Sequence, residues 1–118
     1  MDEIDLKPLG IGASRTYKIT ISSGLDVSGD KFYLTIKKDA EDDDANAVCQ
    51  VFVVAPNDAN SQAGIVFLKV QSSDTLGTDP GNYCYDVLWI KTVTDPGNRE
   101  PIQRGEIYLY QLVTGATT

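Results

Sequence analysis

The sequence predicts an all-β domain, an antiparallel β-sandwich of about six or seven strands with Greek-key connections. Three observations support this fold class. Apolar and polar residues alternate in several short segments, as they do in half-buried strands. Turn-forming residues recur about every ten to fifteen positions, and no segment carries the period of a long helix. A β-barrel is the second choice.

The bulk composition indicates one acidic domain. A chain of 118 residues is long enough to bury a single core without a metal or a disulfide. The net charge of −7 argues against nucleic-acid binding, which uses a basic surface, and against an anionic membrane surface. No apolar run approaches the roughly 20 residues of a membrane span, and the acidic N-terminus is unlike a signal peptide. We therefore expect no nucleic-acid partner and no membrane association.

Four strands are predicted in the first part of the chain, at residues 15–22, 31–38, 47–55 and 65–71. The third is almost continuously apolar, from which we expect both of its faces to be covered. Ser and Asp at 72–76 favour one helical turn after the fourth. In the other three strands, every second side chain is predicted to face the core: Tyr17, Ile19, Ile21, Phe32, Leu34, Ile36, Val66, Leu68 and Val70.

The segment 83–93 is the strand around which the sequence is organised. The same pentapeptide, Thr-Asp-Pro-Gly-Asn, stands before it at 78–82 and after it at 94–98, and its proline and glycine suit a reversal. At about eleven residues the strand is longer than the usual five or six, so we expect a bulge or bend along it. We expect it to be central and to carry into the core Tyr83, Tyr85, Val87 and Trp89.

The remaining boundaries complete the predicted organisation. A last strand covers 101–114, in which Gly105 predicts a bulge or a break. Residues 1–14 are predicted as an N-terminal arm or linker, with an added edge strand as an alternative, and they are a natural extension for docking on a neighbouring subunit. The sandwich itself is expected at 15–114, and 115–118 are expected to be a frayed tail.

The chain shows little that points to chemistry. It has no histidine, no glycine-rich phosphate loop and no CxxC pair, so we expect no enzyme and no catalytic, cofactor-binding or metal-binding residues. The acidic loop 39–44 is interpreted as a solvated connection; calcium binding is the alternative, although the spacing does not match an EF-hand. Cys49 and Cys84 are expected to be buried free thiols, with an intersheet disulfide as the alternative.

Three tyrosines are the candidates for an exposed binding surface. Tyr33, Tyr108 and Tyr110 fall on the predicted outward positions of their strands. Tyrosine is enriched in the cores of protein interfaces, which favours a protein partner. A row of exposed rings is also typical of carbohydrate binding, so a surface or carbohydrate-binding module remains the alternative.

Several segments resemble the immunoglobulin-like domain at the N-terminus of phage upper-baseplate proteins. The first is the run 33–39, Tyr-Leu-Thr-Ile-Lys-Lys-Asp, followed by an Asp-rich loop and Ala-Asn-Ala at 45–47. The second is 79–87, a proline–glycine turn that leads into a tyrosine-rich strand. The third is 105–109, Gly-Glu-Ile-Tyr-Leu, which is similar to the closing strand of such domains. The resemblance covers about residues 15–114.

The resemblance implies an immunoglobulin-like sandwich in a bacteriophage virion structural protein. Such a protein would belong to the tail, baseplate, neck or capsid surface, and would be assembled in the bacterial host cytoplasm. It would act by assembly with other virion proteins and as a homo-oligomer, without turnover. This chain ends just after the closing strand, whereas the upper-baseplate proteins continue, so we expect a standalone virion subunit.

Overall fold

The computed structural model describes residues 2–3, 7–21, 25–39, 47–91 and 98–112, the first pair as backbone alone. These residues form eight strands and two single-turn helices. In chain order the elements are β1 Asp2–Glu3, β2 Leu9–Gly10, β3 Arg15–Thr20, β4 Lys31–Lys37, β5 Cys49–Val54, α1 Ala59–Gln62, β6 Ile65–Val70, α2 Ser72–Thr75, β7 Gly81–Lys91 and β8 Asn98–Tyr110. Within the described ranges, no helix is long and apolar enough to cross a bilayer.

The strands form two sheets that enclose one core. The larger sheet has the order β1-β8-β7-β4-β5, with β2 also on β8, and the smaller sheet is the antiparallel pair β3–β6. The chain changes sheet between β3 and β4, between β5 and β6, and between β6 and β7, which is the connectivity of a Greek-key sandwich. The inward residues predicted on β3, β4 and β6 lie in this core, with Ile21 packed at its margin.

The central strand β7 confirms the main prediction from the sequence. It pairs with β4 on one side and β8 on the other. Tyr83, Tyr85, Val87 and Trp89 are all buried. Trp89 stacks on Phe32, its cross-strand neighbour, with ring centroids 6.0 Å apart. Its indole Nε1 donates to the fully buried carboxylate of Asp30 at 2.9 Å, which satisfies a polar group that would otherwise be costly to bury.

The start of β7 carries a tyrosine corner. The hydroxyl of Tyr83 donates to the backbone carbonyl of Asp79, four residues upstream, at 2.6 Å. This contact at the start of β7, together with the strand order, makes the fold an immunoglobulin-like sandwich. The chain departs from antibody domains two residues later, where Tyr85 occupies the place of the disulfide cysteine. Both cysteines are free, so the predicted alternative of an intersheet disulfide is wrong.

The predicted irregularity in the last two strands lies elsewhere than expected. Gly105 pairs in register with Tyr85, so β8 neither breaks nor bulges there. The register instead shifts between Val87 and Leu88, because Ile102 is an extra residue on β8. The long strand β7 therefore has the irregularity that its length predicted, but its partner supplies the additional residue. The first predicted turn, at 78–82, is only a bend at Pro80, because Gly81 and Asn82 already pair with β8 at the start of β7. Of the second predicted turn, at 94–98, only Asn98 lies within the described residues.

Part of the predicted N-terminal arm belongs to the sandwich. Strand β2 pairs in parallel with the end of β8, which confirms the alternative of an added edge strand. Leu9 is only 1% exposed and lies in the core. The Tyr17 hydroxyl donates to the carbonyl of Lys7, and the amide of Gly12 donates to the Thr75 hydroxyl. An arm that served only to dock on a neighbour would not supply a core side chain.

Two further expectations need correction. Strand β5 is the terminal strand of the larger sheet, and its outward residues Phe52 and Val54 are 60% and 47% exposed, so its two faces are not both covered. The stretch 55–64, predicted as a loop, contains the helical turn α1, because the Asp58 carboxylate accepts from the amide of Ser61 as an N-cap. The predicted turn at 72–76 is confirmed as α2.

Candidate functional site: the outer face of the larger sheet

The outer face of the larger sheet carries the candidate site. Paired residues of neighbouring strands lie on the same face, so side chains form rows that cross β5, β4, β7 and β8. The central row consists of Phe52, Tyr33, Leu88 and Pro101. One flanking row consists of Val54, Lys31, Ile90 and Arg99. The other flanking row consists of Gln50, Thr35, Asp86 and Arg104.

The apolar members of these rows form one contiguous surface, which we call the outer patch. It consists of Tyr33, Phe52, Val54, Leu88 and Ile90. The Tyr33 and Phe52 rings stack with centroids 5.4 Å apart and planes 24° apart. Phe52 is the more exposed of the two rings, at 60%. Stacking on one side fixes the ring of Phe52 and leaves its other side free to contact a partner.

A shallow hollow of about 310 Å³ opens beside the outer patch. Tyr33, Leu88 and Ile90 supply its apolar wall. Gln50 lies on its polar side and donates through Nε2 to the hydroxyl of the buried Thr35 at 3.0 Å. This hydrogen bond orients the Gln50 amide on the polar side of the hollow.

The charge on this face differs in sign from that of the whole chain. Among the described residues, four basic and two acidic side chains face outward here: Lys31, Lys37, Arg99, Arg104, Asp86 and Glu106. The chain as a whole carries −7. The outer patch is therefore an apolar centre with a locally basic rim, and the excess of acidic residues lies elsewhere in the sequence.

The three tyrosines predicted as exposed do not form one surface. Tyr33 is half-buried against Phe52, whereas Tyr108 and Tyr110 are 45% and 39% exposed near the far end of β8. Pro101, which lies in the row of Tyr33, is seven residues from Tyr108 along the strand, a separation of roughly 23 Å. The sequence therefore found one member of the outer patch. It missed Phe52 and Val54, because a continuous apolar strand gives no sign of which face is exposed.

The two thiols have different surroundings. Cys49 is buried in the core, and this burial raises its pKa to about 12, so the thiol stays protonated and unreactive at neutral pH. Cys84 is only half-buried, on the outer face beside Lys37 and Arg104, which corrects the expectation that both thiols are buried. Of the acidic loop 39–44, only Asp39 lies within the described residues, and there it is exposed.

Comparison with known proteins adds similarity of overall shape. No family profile matches the sequence, and no curated protein matches it. The extracellular domain of the voltage-gated sodium channel β4 subunit, solved as parallel homodimers, is similar with a TM-score of 0.44 and 10% identity, over 96% of this chain and 95% of that one. A structure of voltage-gated sodium channel β subunits, from a study of their cell-adhesive interactions, has a TM-score of 0.41 and 12% identity, over 95% and 93%. Likenesses at these TM-scores do not bear on what this chain binds.

Proposed function

We propose that the protein is a non-enzymatic assembly module that binds another protein through the outer patch, and that it serves as a bacteriophage virion structural subunit. The observation that carries the first part is the outward-facing row of Phe52, Tyr33 and Leu88, in which Phe52 is exposed, beside a shallow hollow. The second part is supported by the sequence resemblance to the phage upper-baseplate domain, with its turn and tyrosine-rich strand at 79–87.

The architecture of the patch favours a protein partner. Protein interfaces combine an apolar, aromatic centre with a polar rim, and the outer patch has both. Large aromatic side chains contribute disproportionately to binding energy when a partner buries them, and Phe52 has the most ring surface available. The basic rim favours a partner surface whose own rim is acidic.

Site-specific photo-crosslinking tests the proposal. A photoreactive phenylalanine analogue is placed at Phe52, and in a matched control at Phe67, which is 44% exposed on β6 of the opposite sheet. Both variants are expressed from the native genomic locus. We expect a defined protein adduct from position 52, none from position 67, and loss of the adduct when Leu88→Asp places a charge in the central row.

The outcomes separate the parts of the proposal. A virion protein in the adduct supports the complete proposal. A cellular protein in the adduct supports the assembly module and rejects the virion subunit. Equal adducts from both positions, or an adduct to a different protein that persists with Leu88→Asp, reject the outer patch as the binding surface. An adduct to a second copy of this chain does not count for or against it. Selective glycan binding that is lost with Tyr33→Ala, without any protein adduct, would establish the carbohydrate-binding alternative.

A further inference from the structure

Strand β5 has a free hydrogen-bonding edge. It is the last strand of the larger sheet, and β4 is its only ladder partner among the described residues. The Ala55 amide, just beyond β5, donates inward to the Asp30 carbonyl at 2.9 Å. Backbone groups alternate in direction along a strand, so the amides and carbonyls of Gln50, Phe52 and Val54 point away from β4.

Within the described residues, this edge lacks the usual protection against strand pairing. Terminal strands commonly carry lysine, another charge or proline, which discourage a further strand from joining the sheet. Strand β5 has the sequence Cys-Gln-Val-Phe-Val-Val, without charge or proline. The chain carries a net charge of −7, so contacts between two copies generally bring like charges together. Pairing through the uncharged strand β5 places no like charges directly opposite each other.

We propose that a second copy of this chain pairs with β5 in antiparallel orientation, about a two-fold axis at Phe52. An isologous contact of two identical strands must be antiparallel, because a two-fold axis perpendicular to the sheet reverses their direction. With the axis at Phe52, this residue lies opposite its own counterpart, and Gln50 lies opposite Val54 of the other copy. All three outward residues then form hydrogen-bonded pairs, each exchanging both N–H···O bonds. An axis at Gln50 or Val54 would leave part of the edge unpaired.

The dimer also extends the outer patch. The two Phe52 side chains would lie on the same face, with Cα atoms about 5.5 Å apart. Each ring already stacks on Tyr33 of its own copy, so four aromatic rings would form one row across the axis. The value of this doubled surface rests on the proposed function, whereas the strand pairing depends only on the edge of β5. High salt should strengthen pairing, because it screens the repulsion between two acidic chains.

Removing one outward amide tests the pairing. Val54→Pro deletes an N–H that points away from β4, a position at which an edge strand tolerates proline. By sedimentation velocity, we expect the wild-type chain to reach twice its 12.8 kDa mass with rising concentration. We expect Val54→Pro to remain monomeric and folded. Leu88→Asp, which disrupts the outer patch away from the edge, should leave the dimer intact, so failure of the proposed function and failure of this pairing are distinguishable.

Cysteine crosslinking tests the register. In a Cys84→Ser background, Phe52→Cys should form an intermolecular disulfide on mild oxidation, since about 5.5 Å between Cα atoms suits the bond. Gln50→Cys alone and Val54→Cys alone should not, because each would lie about 13 Å from its counterpart. Crosslinking through residue 50 or 54 would overturn the register. A wild-type chain that stays monomeric at about 1 mM, or a dimer that Val54→Pro does not weaken, would overturn the pairing itself.

Discussion

Replacing Leu9 with alanine tests whether the N-terminal segment is part of the sandwich. From the sequence, residues 1–14 are an arm or linker, and docking on a neighbour is the role for which such an extension is suited. In the structure, Leu9 is 1% exposed, and β2 pairs with Leu109 and Tyr110 of β8. The two descriptions predict opposite results, because an arm that only docks would contribute nothing to the stability of a monomer.

The structure sets the size of the expected effect. Leu9→Ala removes three buried carbon atoms, worth about 2.4 kcal/mol at about 0.8 kcal/mol for each buried methylene. The remaining cavity adds to this loss, and buried Leu→Ala changes cost about 2–5 kcal/mol. Because β2 pairs over only two residues at one side of the sheet, the site can partly collapse. We therefore expect a loss of about 3 kcal/mol, which lowers the Tm by about 12 °C at roughly 4 °C per kcal/mol.

Urea unfolding of the isolated chain, followed by tryptophan fluorescence, measures this loss. Trp89 is the single tryptophan and is buried against Phe32, so its emission reports on the core. Leu76→Ala is the matched control, since Leu76 is 60% exposed and its removal should change the free energy of unfolding by less than about 0.5 kcal/mol. A Leu9→Ala variant within about 0.5 kcal/mol of the wild type would refute the assignment of β2 to the sandwich.

Two further predictions concern the hydroxyl groups of Tyr17 and Tyr83. Tyr83→Phe should cost about 1 kcal/mol in the same urea assay, because it removes the 2.6 Å hydrogen bond to the Asp79 carbonyl; an unchanged free energy of unfolding would contradict a stabilising tyrosine corner. Burial raises the pKa of Tyr17 to about 12, against the smaller opposing effect of the Arg15 guanidinium. The folded state therefore holds this proton more tightly than the unfolded state does. The resulting contribution of Tyr17 to the free energy of unfolding is complete below pH 10 and is lost as the pH rises from 10 to 12. Between pH 10 and 12, the free energy of unfolding of Tyr17→Phe should fall less steeply than that of the wild type. The difference between the two slopes should be at most about 1.4 kcal/mol per pH unit. If the two curves of unfolding free energy against pH are parallel, the raised pKa of Tyr17 is contradicted.

The correctly predicted elements share one physical cause. On β3, β4, β6 and β7, apolar residues occupy every second position, so one face of each strand is buried wherever the strand lies in the sandwich. This alternation depends only on residues that are close together in the chain, so it can be recognised in the sequence without knowledge of the fold.

The errors share another cause. Gly105 is a common sign of a bulge, yet the bulge lies at Ile102, because the register between β7 and β8 depends on the whole length of both strands. The arm at 1–14 lacks alternation, so its pairing with β8, nearly the full chain length away, leaves no local mark. The virion setting and the homo-oligomer expected from the resemblance stay predictions, which the crosslinking and sedimentation experiments address.

By itself, the sequence determined the fold class, the inward face of each alternating strand and the central place of the strand that carries Tyr83 to Trp89. Only the tertiary structure decided which strand is terminal and which outer side chains meet. The hydrophobic period reports whether a face is buried, but the lateral neighbour of a strand is set by contacts between distant segments. For this reason Cys-Gln-Val-Phe-Val-Val reads as a covered strand in the sequence, and in the fold it is the open edge that presents Phe52.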